Sequence, residues 1–195
     1  ASNNTALGFA ALFTQTTDGV ENTAIGRYSL YSNTSGDNNV GVGNDTLEAN
    51  TSGSHNTAVG RKALEANTTG EYQVAVGRQA LLSNTTGVRN VAIGNEALET
   101  NTTGDYNTAI GFKALESTDT ADYNCAVGYG ALQLNTASYN TAVGGLAADA
   151  NTTGLRTTAV GYHCLSSNTT GDRNTAVGSE ALDDNTNGTR NTAIG

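Results

Sequence analysis

Two histidines and two cysteines are the side chains in this chain best suited to metal binding or nucleophilic chemistry. His55 and His163 have no second ligand type at metal-site spacing, which favours solvent-facing side chains. Cys125 and Cys164 lack a C-x-x-C spacing and are too few for a disulfide framework, so we expect two small buried residues. The sequence therefore predicts no metal site and no cofactor.

Carboxylates are the remaining candidates, and they recur at fixed intervals. Glu65, Glu99 and Glu116 share one place in a repeating pattern. A second set of carboxylates comprises Asp37, Glu71, Asp105 and Asp172. This set alternates with Arg89, Arg156 and Arg173. Acid–base catalysis needs one pair of carboxylates in a distinct environment, whereas these carboxylates recur at equivalent positions of many repeats, as surface residues do. The glycine-rich segments also lack the lysine and the strand-to-helix context of a phosphate site. We therefore expect a protein that is not an enzyme.

Composition excludes several classes of protein. Of the 195 residues, 36% are apolar and 14% charged, and proline, methionine and tryptophan are absent. Glycine does not recur at every third residue and proline is absent, which excludes collagen. Disordered chains are usually rich in Pro, Lys and Glu, and this chain is not, which disfavours disorder. The net charge of −9 disfavours nucleic acid and anionic lipid as partners. No apolar run approaches the ~18 residues of a membrane span, so membrane insertion is not expected.

An internal repeat organises the whole chain. An aliphatic residue followed by glycine recurs twelve times at a spacing of 17 residues, apart from one spacing of 18 near Asp18 and one of 16 around Ala137 and Ser138. The consensus is N-T-A-V-G-x-x-A-L-x-x-N-T-T-G-x-x, and its residues are called positions 1 to 17 below. No linker is visible, so residues 1–195 are predicted to form a single array. Neither end carries a legible cap, and we expect the array to be a fragment of a longer fibrous protein or to stack end to end.

Each repeat is predicted to be one coil of an all-β, parallel β-solenoid with about eleven coils. Positions 1 to 5 suit a short strand, the A-L pair suits a second one, and N-T-T-G suits a turn in which Gly takes a positive φ. Helical repeats need about 33 residues or more, which disfavours a helical array. The turn glycines expected at positions 5 and 15 include Gly60, Gly77, Gly94, Gly70, Gly87 and Gly104.

Two apolar positions are predicted to form the core columns. Position 4 is aliphatic in every copy, and position 9 is usually leucine. The expected columns are Val42, Val59, Val76, Ile93, Ile110, Val127, Val143, Val160 and Val177 at position 4, and Leu64, Leu81, Leu98 and Leu115 at position 9. Asn occupies position 1 in ten of twelve copies and position 12 in nine of eleven. Stacking at ~4.8 Å would align these amides into ladders along a rod roughly 50 Å long.

The thinness of such a coil predicts self-association. Neighbouring side chains on a strand face opposite ways, so Ala and Val in T-A-V-G cannot both point into one interior, and the same applies to the A-L pair. A continuous apolar stripe along a rod is typical of an interface, although single exposed apolar residues are ordinary. We therefore expect a second chain to cover one of these columns.

The motif resembles the head repeat of YadA-type trimeric autotransporter adhesins, and similar arrays occur in bacteriophage tail fibres. Asn56, Ala58, Val59 and Gly60 match the adhesin unit N-S-x-A-I-G-x-x-A, as do their counterparts in other repeats. The resemblance implies a left-handed parallel β-roll with three chains around a shared axis, located extracellularly, on a cell surface or a virion. The unit here is longer than that of the adhesins because of the inserted N-T-T-G segment.

Two function classes follow. The first is a non-catalytic extracellular fibre or adhesin, a homotrimer or filament that binds a host receptor or glycan. The alternative is a monomeric ligand-binding solenoid, such as an ice-binding protein, presenting the threonines at position 2. That column includes Thr23, Thr57, Thr108 and Thr141, and it is interrupted by Val40, Val74, Val91 and Cys125. The N-T-S/T sequons at Asn33, Asn50, Asn67, Asn84, Asn101, Asn151 and Asn168 serve either as turn residues or as glycosylation sites.

Overall fold

A computed structural model describes residues 3–14 and 18–195, and in these residues the fold is all-β. Twelve strands of three residues pair in parallel, in sequence order, to form one sheet. The strands are β1 (Thr5–Leu7), β2 (Thr23–Ile25), β3 (Val40–Val42), β4 (Thr57–Val59), β5 (Val74–Val76), β6 (Val91–Ile93), β7 (Thr108–Ile110), β8 (Cys125–Val127), β9 (Thr141–Val143), β10 (Thr158–Val160), β11 (Thr175–Val177) and β12 (Thr192–Ile194). The predicted parallel β-solenoid of about eleven coils is confirmed.

The register places identical repeat positions above one another. Between β4 and β5, for example, Ala58 pairs with Ala75 and Val59 with Val76. Both length irregularities lie outside the strands, so the register of the sheet is unaffected. The deletion around Ala137 is absorbed by the turn, where Nδ2 of Asn135 donates to the carbonyl oxygen two residues ahead instead of three. The insertion near Asp18 adjoins residues 15–17, which lie outside the described residues.

The A-L segment is not a second strand, which corrects one prediction. In the fourth coil Lys62 and Leu64 have φ of 62° and 53°, and equivalent residues in the other coils repeat these left-handed values. The segment is therefore a run of turns in which right-handed and left-handed residues alternate. Left-handed backbone costs a non-glycine residue on the order of 1–2 kcal/mol, so something must offset it.

Burial of leucine offsets that cost. Ala63 and Leu64 are adjacent, yet both are fully buried, and this recurs as Ala80 with Leu81. The change of backbone handedness turns both side chains inward, which an extended strand cannot do. Burying a leucine contributes about 1.5–3 kcal/mol, enough to maintain the strained turn. The predicted leucine column is confirmed at Leu64, Leu81, Leu98 and Leu115, each with no exposed surface.

The two glycine columns serve different purposes. Gly60, Gly77 and Gly94 have φ of 128°, 138° and 140°, a region open to glycine alone, as predicted for a bend. At position 15 the expectation of a positive φ is wrong for Gly70, Gly87 and Gly104. Glycine is required there by close packing. A Cβ on Gly87 would lie 2.5 Å from the carbonyl oxygen of Gly104 and 2.6 Å from Oδ1 of Asn84.

Two asparagine columns line the turn side of the interior. At position 12, Nδ2 of Asn67 donates to Oδ1 of Asn50 in the preceding coil (2.8 Å) and to the carbonyl oxygen of Gly70 (3.1 Å). At position 1, Nδ2 of Asn56 donates to the same Gly70 oxygen (2.9 Å), while its Oδ1 accepts the backbone N–H of Gln73 in the next coil (3.0 Å). The interior amides thus satisfy one another and the backbone along the rod, as buried polar groups must.

The position-12 ladder is interrupted at one point. Thr118 replaces Asn there, and Oδ1 of Asn101 accepts no hydrogen bond from any described residue. Ala121 replaces Gly three residues later, at position 15 of the same coil. A Cβ at Gly104, the equivalent residue one coil earlier, would lie 2.5 Å from Oδ1 of Asn101. Asn at 118 and Ala at 121 are therefore sterically incompatible, which explains why both residues differ from the consensus together.

Candidate functional site

The outward face of the twelve-stranded sheet is the most extended candidate for a functional surface. The predicted inward orientation of position 4 is wrong: position 3 is inside and position 4 is outside. Ala58 is fully buried, whereas 36% of Val59 is exposed. The correction applies to the whole column, Val42, Val59, Val76, Ile93, Ile110, Val127, Val143, Val160 and Val177, whose members are half-buried or exposed. Only a small residue, alanine or in one coil Gly41, occupies position 3, because buried leucines and small position-8 side chains already fill the narrow coil.

Position 2 lies on the same side of the strand as position 4. Thr57, Val74 and Val91 are half-buried and pair in register with one another. The outward face therefore consists of two parallel columns, a Thr/Val column and a Val/Ile column, which extend without a break over all twelve strands. We call these two columns the outer strand face. It carries no charged side chain in any strand, an arrangement suited to packing against another surface.

The two cysteines differ in environment. Cys164 is fully buried at position 8, where its Sγ donates to the carbonyl oxygen of Ala176 (3.2 Å) and burial raises the pKa of the thiol. Cys125 is only half-buried, because it lies at position 2 of the outer strand face. The expectation of two buried residues is confirmed for Cys164 and wrong for Cys125. Both are free thiols.

Carboxylates from neighbouring coils meet in two equivalent clusters. The clusters are Asp45 with Glu48 and Glu65, and, 51 residues further along, Glu96 with Glu99 and Glu116. Within each, one oxygen from every carboxylate lies within 4.8 Å of the others, a separation at which a hard cation could bridge them. Glu65, Glu99 and Glu116 were assigned to one column from the sequence, but their grouping with Asp45, Glu48 and Glu96 was not predicted. That grouping requires carboxylates at positions 7 and 10 of one coil to meet the position-10 carboxylate of the next coil.

Lysines already neutralise part of this charge. Nζ of Lys62 donates to Glu65 (2.8 Å), and Nζ of Lys113 donates to Glu116 (2.7 Å). Burial, followed by repulsion from Asp45 and Glu65, raises the pKa of Glu48. Burial, followed by repulsion from Glu96 and Glu116, raises the pKa of Glu99 in the same way. Glu48 and Glu99 therefore favour the protonated form more than a free glutamate does, and a lysine lies beside each cluster.

The acidic column at position 16 has a structural role. Oδ1 of Asp105 accepts the backbone N–H of Val88 (2.7 Å), and Oδ1 of Asp172 accepts that of Leu155 (2.8 Å). Ser54 fills the same role for the N–H of Asp37 (3.0 Å). These side chains satisfy an N–H of the preceding coil, which explains why Asp and Ser recur at this position.

The sequon asparagines are inaccessible for modification in the folded chain. Asn33, Asn50, Asn67, Asn84, Asn101, Asn151 and Asn168 have no exposed surface. Their Nδ2 atoms donate to ladder and turn oxygens, as in Asn84, whose Nδ2 donates to Oδ1 of Asn67 (2.9 Å). Of the two roles considered for these sequons, the structure supports that of turn residues.

A stack of aromatic and basic side chains at position 17 was not identified from sequence. It comprises His55, Tyr72, Arg89, Tyr106, Tyr123, Tyr139, Arg156, Arg173 and Arg190, all exposed, and is called the position-17 ladder below. Rings of Tyr106 and Tyr123 stack with centroids 5.0 Å apart and planes 5° apart. The signal lay in the sequence as one tyrosine or arginine immediately before each of the last eight repeats, but only the stacking register shows that neighbouring side chains touch.

The histidines do not form a metal site with the other described residues. His55 stacks on Tyr72 at 4.9 Å, and its exposure confirms the prediction of a solvent-facing side chain. His163 is half-buried beside Tyr162, with ring centroids 4.8 Å apart, so the prediction is only partly correct for it.

The described surface contains no pocket. The described residues also form no helix long and apolar enough to cross a membrane. Comparison with protein-family models, curated proteins and solved structures gave no significant match.

Proposed function

We propose that this chain is the rod of a non-catalytic, extracellular fibrous protein, in which three copies pack in parallel through their outer strand faces. The observation that carries the proposal is the unbroken Val/Ile column on the outside of the sheet. Ile25, Ile93 and Val143 are between 36% and 39% exposed in the single chain. Such a stripe, continuous along a rod, is typical of a surface that another molecule covers.

Parallel association suits the geometry of this face. Under cyclic symmetry about an axis along the rod, each coil meets the equivalent coil of its partners, so every apolar side chain faces another at the same height. The absence of charge on positions 2 and 4 avoids burying unpaired ions in that interface. The number three follows from the resemblance to YadA-type head repeats and tail-fibre arrays.

A rod of this kind would act as a rigid spacer or adhesion module. Its stability would come from backbone pairing and interior amide ladders repeated in each coil, a design whose length grows by adding coils. The proposed location of the rod is extracellular, on a cell surface or a virion. The proposed partners are copies of the chain itself and a surface receptor or glycan.

The oligomeric mass in solution tests this proposal. Multi-angle light scattering should give three times the 19.8 kDa chain mass. The double variant Val76→Asp/Ile93→Asp should be a monomer with an unchanged β-type circular dichroism spectrum, because both side chains point outward. The matched control Thr69→Ala/Thr86→Ala, altering exposed turn residues on another side of the coil, should remain trimeric. A wild-type monomer at micromolar concentration would refute the proposal.

An ice-binding monomer is the second candidate. The observation that favours it is the regular register of positions 2 and 4, which places a Thr/Val column beside a Val/Ile column on one side of the coils. A monomeric mass together with thermal hysteresis of freezing, abolished by Thr57→Tyr and Thr108→Tyr, would support this function over the rod.

A further inference from the structure

We propose that the position-17 ladder binds a linear anionic glycan of the polyuronate class. The ladder concentrates binding chemistry in an otherwise acidic chain: it holds four of the nine basic residues and four of the eight tyrosines, and none of its own nine residues is acidic. Tyr and Arg are the residues most enriched at recognition surfaces. This inference is independent of the trimer proposed above.

The arginines of the ladder are available for a ligand. Among the described residues, none of Arg89, Arg156, Arg173 and Arg190 forms an ion pair, whereas Arg78 and both lysines do. The neighbouring carboxylates of Asp105 and Asp172 are held by backbone N–H groups instead. An exposed guanidinium without a carboxylate partner is a ready donor to the carboxylate of a ligand.

The tyrosines of the ladder hold two of its arginines, Arg89 and Arg156, in place. The Arg89 guanidinium lies 5.2 Å from the ring centroid of Tyr72 and 5.5 Å from that of Tyr106, and its Nη1 donates to the Tyr106 hydroxyl (3.0 Å). Arg156 lies 5.6 Å from the ring centroid of Tyr139. Cation–π contacts of this kind reduce the side-chain entropy that binding would otherwise cost.

The stacking of the rings favours a glycan over a nucleic acid. Rings of Tyr123 and Tyr139 are 5.3 Å apart and nearly parallel, so their faces already cover one another and cannot receive a base between them. Single-stranded nucleic acids gain affinity mainly from open aromatic faces. What this ladder offers instead is ring edges, hydroxyls and guanidinium N–H groups, which are partners for sugar hydroxyls and carboxylates.

The spacing of the ladder fits a polymer with one acidic sugar per repeat. Arg156, Arg173 and Arg190 lie in consecutive coils, at a strand spacing of about 4.8 Å. An extended uronic acid chain lying along the rod places a carboxylate at intervals on the order of one coil. The nine residues of the ladder span eight such spacings, or roughly 38 Å.

Calorimetric titration with an oligogalacturonate of about ten sugars, at low salt, tests the inference. We expect the wild-type chain to bind, and Arg156→Gln/Arg173→Gln/Arg190→Gln to bind at least about tenfold more weakly, equivalent to a loss of ~1.4 kcal/mol. The control is Arg27→Gln/Arg61→Gln/Arg78→Gln, which removes the same charge from position 6 and should bind like the wild type. Neutral dextran should not bind.

Three outcomes would overturn the inference. No binding of oligogalacturonate by the wild type would do so directly. An equal loss in both arginine triples would show a response to net charge alone. Binding of oligo(dT) in preference to oligogalacturonate would assign the ladder to nucleic acid. Because the oligomeric mass is measured separately, a monomeric chain that bound the glycan would refute the trimer and leave this inference standing.

Discussion

Adjacent residues of the same strands point into the coil and onto the outer strand face, yet the two regions differ in their contacts. Interior side chains are buried, and the polar ones are hydrogen-bonded within the chain, whereas those of the outer strand face are partly exposed. Inside, Ala58 is fully buried and the amides of Asn56 and Asn67 donate to oxygens of the same chain. Outside, Val59 is 36% exposed and has no layer above it. The interior is complete once coils stack, whereas the outer strand face stays partly exposed in the single chain.

The interior and the outer strand face should therefore respond differently to substitution. Changes to interior residues should alter stability, because each interior group serves the coil above or below it. Changes to the outer strand face should alter assembly and leave the coil intact. The following predictions test that division, in order of decreasing effect.

The glycine bend at position 5 should be the most sensitive interior site. In Gly60→Ala, the new Cβ would lie 2.6 Å from the carbonyl oxygen of Gly77 at a φ of +128°. We expect a loss of about 3 kcal/mol or more of unfolding free energy, measured by urea denaturation. Gly145→Ala is the matched control, because its nearest neighbour would be Cδ2 of Tyr162 at 3.6 Å. Equal stability of the two variants would contradict the account.

Breaking an asparagine ladder should have the next largest effect. Asn67→Leu keeps a similar volume but removes the donor to Oδ1 of Asn50 and the acceptor for Nδ2 of Asn84. Leaving buried polar groups unpaired should cost on the order of 2–4 kcal/mol. The exposed neighbour Thr69→Ala should change stability by less than about 0.5 kcal/mol. An Asn67→Leu variant as stable as the wild type would show that packing alone maintains the coil.

Repairing the interrupted ladder should stabilise the chain. Thr118→Asn combined with Ala121→Gly would provide Oδ1 of Asn101 with a donor and remove the Cβ that an Asn at 118 would meet. We expect a gain of roughly 1 kcal/mol in the double variant. Thr118→Asn alone should destabilise, so the two changes should be strongly non-additive in a double-mutant cycle. Additive effects would refute the steric coupling.

The smallest effect concerns pH. The pKa of Glu99 is raised in the folded chain, first by burial and then by Glu96 and Glu116, so folding favours the protonated form. Its contribution to stability is present at low pH and is lost as the pH rises through the folded-state pKa. Glu99→Gln should therefore gain melting temperature relative to the wild type as pH rises from about 4 to 7. The exposed control Glu180→Gln should show a smaller trend, and no trend for Glu99→Gln would contradict this.

The repeat in the sequence was sufficient to predict the coil, the parallel stacking and the Leu64 column, because these depend on periodicity and residue size. The orientation of Val59 was not predictable by that reasoning, since alternation along a strand shows that two columns face opposite ways without showing which is inside. The inner side is decided by volume, and only small residues occupy it beside the buried leucines.

The backbone conformation of the A-L segment also could not be predicted from the sequence pattern. A left-handed leucine such as Leu64 is intrinsically unfavourable, so local propensity argues against it, and only tertiary burial makes it stable. Contacts between coils, such as Glu48 with Glu65 or Tyr106 with Tyr123, likewise depend on residues 17 apart coming into register. The candidate surfaces therefore became recognisable only once the coils were stacked.

Distance measurement between spin labels tests most directly the claim that the outer strand face joins chains in parallel. In a Cys125→Thr/Cys164→Ala background, the label at Thr175→Cys lies on the outer strand face in β11, near one end of the rod. Parallel packing in register should place labels of different chains within roughly 20 Å of one another. Antiparallel packing would separate them by about nine strand spacings, or roughly 43 Å. A long distance, or no dipolar coupling at micromolar concentration, would contradict the account.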